Sequence, residues 1–64
     1  MPSSVNARLA VIVDHVDRYR DEVGAIAGEP ELSMSEDLVR ALHEAERALR
    51  TASRALLLAR SIAR

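Results

Sequence analysis

From Val5 onward the apolar side chains fall at Val5, Leu9, Ile12, Val16, Tyr19, Val23 and Ile26, with gaps that alternate between four and three residues. That alternation predicts a helix whose apolar seam repeats every seven residues. Leu9, Val16 and Val23 take the a positions of the repeat, and Val5, Ile12, Tyr19 and Ile26 take the d positions. Ser3 or Ser4 can cap the first turn, because a hydroxyl accepts from N–H groups that have no intrahelical partner. The helix is expected to stop near Ala27. Gly28 can take the left-handed conformation that closes a helix, and Pro30 cannot continue one.

A second run is stricter still. Leu38, Leu42, Ala45, Leu49, Ala52, Leu56, Ala59 and Ala63 keep the four–three spacing, with Leu42, Leu49 and Leu56 as a positions and Ala45, Ala52 and Ala59 as d positions. Three successive heptads open with Arg-Ala-Leu, at Arg40, Arg47 and Arg54. Two starts compete for this helix. Ser33 with Glu36 forms a capping box, whereas Ser35 flanked by Met34 and Val39 forms a hydrophobic staple. Glu36 and Asp37 favour the positive end of the helix dipole, and Arg60 and Arg64 its negative end.

The connection between the runs is too short for anything but an antiparallel return. The predicted organisation is one all-α unit over residues 1–64, an antiparallel two-helix hairpin with coiled-coil-like spacing. Helix 1 spans about 4–27, the turn about 28–34 and helix 2 about 35–63. Beside the second seam runs another row, Ala41, Ala48, Ala55 and Ile62. Helix 2 is thus apolar over a wider arc than one neighbour can cover. Two hairpins together can cover it, as a homodimeric four-helix bundle. The expected oligomer interface is Ala41, Ala45, Ala48, Leu49, Ala52, Ala55, Leu56, Ala59 and Ile62, with Val13 and Leu58 added at the end far from the turn. Val11 and Leu57 lie at that same end, which is expected to be the part most covered by a partner.

Composition sharpens the expectation of assembly. A chain of 64 residues without cysteine has neither disulfides nor thiolate metal sites to stabilise it. With no Phe or Trp and a single Tyr, its core must come from Leu, Val, Ile and Ala. Self-association is what remains for a scaffold of this size. The first residues, MPSSVNARLA, lack the basic start and long apolar run of a secretion signal, and no stretch matches a membrane span. A cytoplasmic protein with no membrane partner is expected.

The net charge of −1 hides a strong asymmetry, since residues 1–46 sum to −6 and residues 47–64 to +5. Arg40, His43, Arg47, Arg50 and Arg54 follow one another along the outer side of helix 2. A basic helical stripe is one electrostatic footprint of nucleic-acid binding. Glu36 and Glu46, four residues before Arg40 and Arg50, can neutralise part of it, and no aromatic is interleaved to stack on bases. Asp14, Asp17 and Asp21 form a counter-stripe on helix 1, but one helical face cannot wrap a cation. Neither His15 nor His43 stands three residues after a glutamate, as the helical di-iron motif requires. With every seam position aliphatic except Tyr19, no catalytic constellation is legible. The sequence thus predicts a non-enzymatic protein–protein interaction module, without metal or cofactor. It associates with itself as a dimer or higher even-numbered assembly, or acts as an adaptor or regulator of a larger protein. The alternatives are nucleic-acid binding through the Arg stripe, and a subunit of a hetero-oligomer.

Overall fold

In the computed structural model, which describes residues 4–32 and 35–63, the chain forms two long helices. Helix α1 spans Ser4–Ala27 and helix α2 spans Glu36–Ile62, with a short 3-10 turn, Pro30–Leu32, between them. Ser33, Met34, Ser3 and Arg64 lie outside the described residues, so the capping box on Ser33, the staple from Met34 and the charge at Arg64 do too. Ser35 stands at the head of α2 without a side-chain cap hydrogen bond. Its carbonyl accepts from the Val39 N–H at 3.1 Å. Glu36 and Asp37 occupy the first turn and Arg60 the last, where each charge opposes the helix dipole favourably.

Gly28 closes α1 without a left-handed backbone, since no described glycine has positive φ. Its N–H instead reaches back to the Gly24 and Ala25 carbonyls, each at 3.2 Å, and the Glu29 N–H donates to Ile26 at 3.0 Å. Tightened hydrogen bonds of this kind satisfy the last carbonyls of a helix as well as a left-handed cap does.

The helices run antiparallel. The Asn6 side-chain amide donates to the Arg60 carbonyl at 2.9 Å, at the end far from the turn. At mid-length the Ser53 hydroxyl donates to Asp17 at 2.7 Å. Nearer the turn, Gly24 faces the Glu46 carboxylate. The whole measures 53 × 14 × 9 Å, a single layer of helices.

Burial shows which rows face each other. Val13, at 6%, and Ser53, at 5%, are among the least exposed residues. Each belongs to a row repeating every seven residues: Asn6, Val13, Arg20, Ala27 on α1, and Val39, Glu46, Ser53, Arg60 on α2. The next row round each helix, Leu9, Val16, Val23 and Leu42, Leu49, Leu56, is only half-buried. The expected d row of α1, Val5, Ile12, Tyr19 and Ile26, is 43–54% exposed. Each helix is therefore turned about 75° from the orientation in which its a/d seam would point at its mate, because the a row lies about 51° and the d row about 103° round from the inner row. The inner line of the hairpin is partly polar as a result.

Gly24 sits beside that line, in the adjacent row of α1, that of Asp17. A methyl group there would lie 3.1 Å from Glu46 Oε2, at the far end of a flexible side chain. That carboxylate already turns toward His43, at 3.5 Å, and Arg50, at 3.9 Å, and can move a few tenths of an ångström outward. Removing glycine from a helix interior is worth up to about 1 kcal/mol. Gly24→Ala is therefore expected to raise the melting temperature by several degrees, as read by circular dichroism at fixed protein concentration.

Candidate interaction face

The rotation of the two helices leaves apolar rows uncovered, and antiparallel geometry decides where they go. On α1 the uncovered row precedes the inner row by one residue: Ile12 before Val13, Tyr19 before Arg20. On α2 the relation is the same, with Ala45 before Glu46 and Ala52 before Ser53. One step back along either helix turns through about 100°. Because the helices run in opposite directions, the two turns bring both rows to the same side of the layer. One face of the hairpin therefore carries Val5, Ile12, Tyr19 and Ile26 from α1 beside Leu38, Ala45, Ala52 and Ala59 from α2. The half-buried Leu and Val rows form its floor. Ala41, Ala48, Ala55 and Ile62 continue it over the shoulder of α2, and all four are exposed.

The residues expected at an oligomer interface lie partly on this face and partly away from it. Ala41, Ala45, Ala48, Ala52, Ala55 and Ile62 are exposed on this face or its shoulder; Leu49, Leu56 and Ala59 are partly covered. Val13 is not available there, because it is buried on the inner row of α1. Leu58 is exposed, but on the far side of α2. Val11, Val13, Leu57 and Leu58 share one end of the hairpin yet point in four directions, so they form no common patch. Sequence spacing missed the opposite contribution. Val5, Ile12, Tyr19 and Ile26 look like hairpin core by spacing, yet they are surface on this face. The one tyrosine has its ring half in solvent, so its hydroxyl needs no internal partner.

The other face is polar. Arg40, His43, Arg47, Arg50 and Arg54 are all exposed along α2. They are not a free cationic track. Glu46 pairs with both His43 and Arg50, and Asp14 and Asp21 are exposed on the same face of α1 at the heights of Arg54 and Arg47. Asp17 is engaged by Ser53 and lies 3.7 Å from Arg20 of its own helix. A depression beside Arg40 and His43 is lined also by Glu36 and Val39, and another by Asn6, Leu57, Arg60 and Ser61; both are open to solvent. Among the described residues no three His, Asp or Glu side chains converge as metal ligands. No described helix is long and apolar enough to cross a membrane. Comparison with protein-family models, with curated proteins and with solved structures finds no match for this chain.

Proposed function

We propose that this hairpin is a non-enzymatic self-association module, two copies closing their apolar faces into a four-helix bundle. The observation that carries the proposal is the common offset of both apolar arcs. A helix that packs against one neighbour centres its apolar arc on that neighbour. A helix in a four-helix bundle has two neighbours at roughly a right angle, and its arc extends round to the second. On α1 the apolar arc is centred about 75° off the line to the mate and on α2, with the Ala41 row included, about 100° off it, both toward the same side, where a second neighbour would lie.

Surface area supports the same reading. A compact monomer of this mass exposes about 4,000 Å², whereas the hairpin exposes 4944 Å². The surplus of about 900 Å² is close to the ~800 Å² that each partner contributes to a standard interface. A single layer with one apolar face also lacks the second layer that a stable domain needs. Among the described residues only Val13 and Ala27 are buried apolar side chains, too few to hold two helices of this length against their conformational entropy.

The test is native mass by light scattering, with absorbance in the nucleic-acid band followed on the same peak. The expected result is a helical species of at least twice the 7.0 kDa chain mass, with only the faint absorbance of one tyrosine. A peak rich in nucleic-acid absorbance would instead assign the Arg stripe the leading role. A single chain with little helix would mean that the apolar face is completed by a different protein.

A further inference from the structure

The face described above admits two ways of pairing two copies about a two-fold axis. In one, α1 lies on the partner's α2. In the other, each helix lies antiparallel on its own counterpart. We infer that like pairs with like: α1 on the partner's α1, and α2 on the partner's α2. This rests on the self-association proposed above and fixes its geometry.

The flanks decide it. Outside the Val5–Ile12–Tyr19–Ile26 row, α1 carries Arg8, His15 and Glu22, one every seven residues and all exposed. At the corresponding flank α2 carries Ala41, Ala48, Ala55 and Ile62. If α1 lay on the partner's α2, the charged flank would face the apolar one along its whole length. Arg8 and Glu22 would then lose water against alanine, and the alanines would meet no apolar surface. Like-on-like pairing removes both conflicts. With the axis passing at His15, Arg8 meets the partner's Glu22, and Glu22 meets the partner's Arg8. The imidazoles of the two copies meet at the centre. On the apolar row, Ile12 then meets the partner's Tyr19, and Val5 meets the partner's Ile26.

Helix α2 has its own self-complementary centre. An axis at Ala52 sets Ala45 against the partner's Ala59, Ala48 against the partner's Ala55, and Ala41 against the partner's Ile62. The centres of the two helices must coincide in height for one axis to serve both. They do: Ser53, next to Ala52, is bonded to Asp17, and Asn6 is bonded to Arg60, which puts Ala52 level with the stretch from Asp14 to Arg18. Alanine against alanine brings the α2 pair close together, while the larger α1 row holds its pair further apart.

The chain has no cysteine, so one introduced thiol reports on one contact. His15→Cys treated with a short bis-maleimide is expected to give a covalent dimer at least about tenfold faster than Asp21→Cys, which lies on the polar face. A mixture of His15→Cys with Ala55→Cys is expected to give few mixed products. Glu22→Arg should weaken the dimer about tenfold, and adding Arg8→Glu should restore it. A native mass of two chains with His15→Cys linking chiefly to Ala55→Cys, or with no link at position 15, overturns the like-on-like geometry and leaves self-association standing. A single-chain mass for the unaltered protein overturns the self-association beneath it.

Discussion

Ala52→Glu is expected to reduce the assembly to single hairpins. Ala52 is exposed in the hairpin, so a glutamate there meets nothing within its own chain. In a closed bundle the same side chain lies at the middle of the apolar face. Its carboxylate must then lose water without a partner, at a cost of several kcal/mol per ion. Two such charges, one per copy, oppose each other as well. Since each 1.4 kcal/mol changes an equilibrium constant tenfold, dissociation should be at least about a thousandfold easier. Light scattering should then read one chain mass where the unaltered protein is expected to read two. Helix content should also fall, because folding and association are coupled in a scaffold with so little core of its own. Ala7→Glu makes the same chemical change on the polar face, in the row of Asp14, and is expected to leave both readings as they were. If Ala52→Glu keeps the assembled mass, the contact between copies lies somewhere else.

The two-helix hairpin was legible from spacing because periodicity is a local property. Leu9, Val16 and Val23 every seven residues make a helix wherever they point, and Gly28 with Pro30 end it whatever follows. The rotation of the helices was not legible, because it is settled by competition between rows rather than by any one of them. Spacing marked Val5, Ile12, Tyr19 and Ile26 as a d row facing the mate. It had no way to weigh that arrangement against one in which the mate receives Val13, Ala27 and several polar residues while the d row waits for another chain. The best clue was Val13, an apolar residue one step beyond the seam, at seven residues from Arg20 and fourteen from Ala27. Asn6 and Arg20 share its row, which therefore carries no apolar repeat, and spacing assigned Val13 to the oligomer interface instead. The width of the apolar arc on α2 was legible, and so were most of the residues on the candidate face. Their partners on α1 were hidden by the same misplacement.

The polar contact between the two helices at mid-length carries the second large effect. Asp17→Ala is expected to destabilise the hairpin by about 2 kcal/mol, because it strips the partner from a buried hydroxyl. Ser53 is 5% exposed and donates to Asp17 at 2.7 Å, a short, charge-assisted bond. With the carboxylate gone, the hydroxyl has neither water nor acceptor on that side. Ser53→Ala should cost less, about 1 kcal/mol, since the half-exposed carboxylate can turn to solvent and to Arg20. Together the two substitutions should cost less than the sum of the two separately, with a coupling of roughly 1.5–3 kcal/mol for a hydrogen bond to a charged group. Chemical denaturation of all four proteins at one concentration measures it, and additive costs would show that the bond is not formed in the folded protein. The same pair also bears on uniqueness. Leucine and alanine rows tolerate a slip of one heptad, because each position meets a similar neighbour after the slip. A serine that must find an aspartate does not tolerate it. The double variant is therefore expected to retain most of its helix while losing a single well-defined register, visible as broadened amide resonances. A polar pair inside a hairpin this small then sets which helix positions face inward, and thereby which apolar row is left on the surface for the proposed second copy.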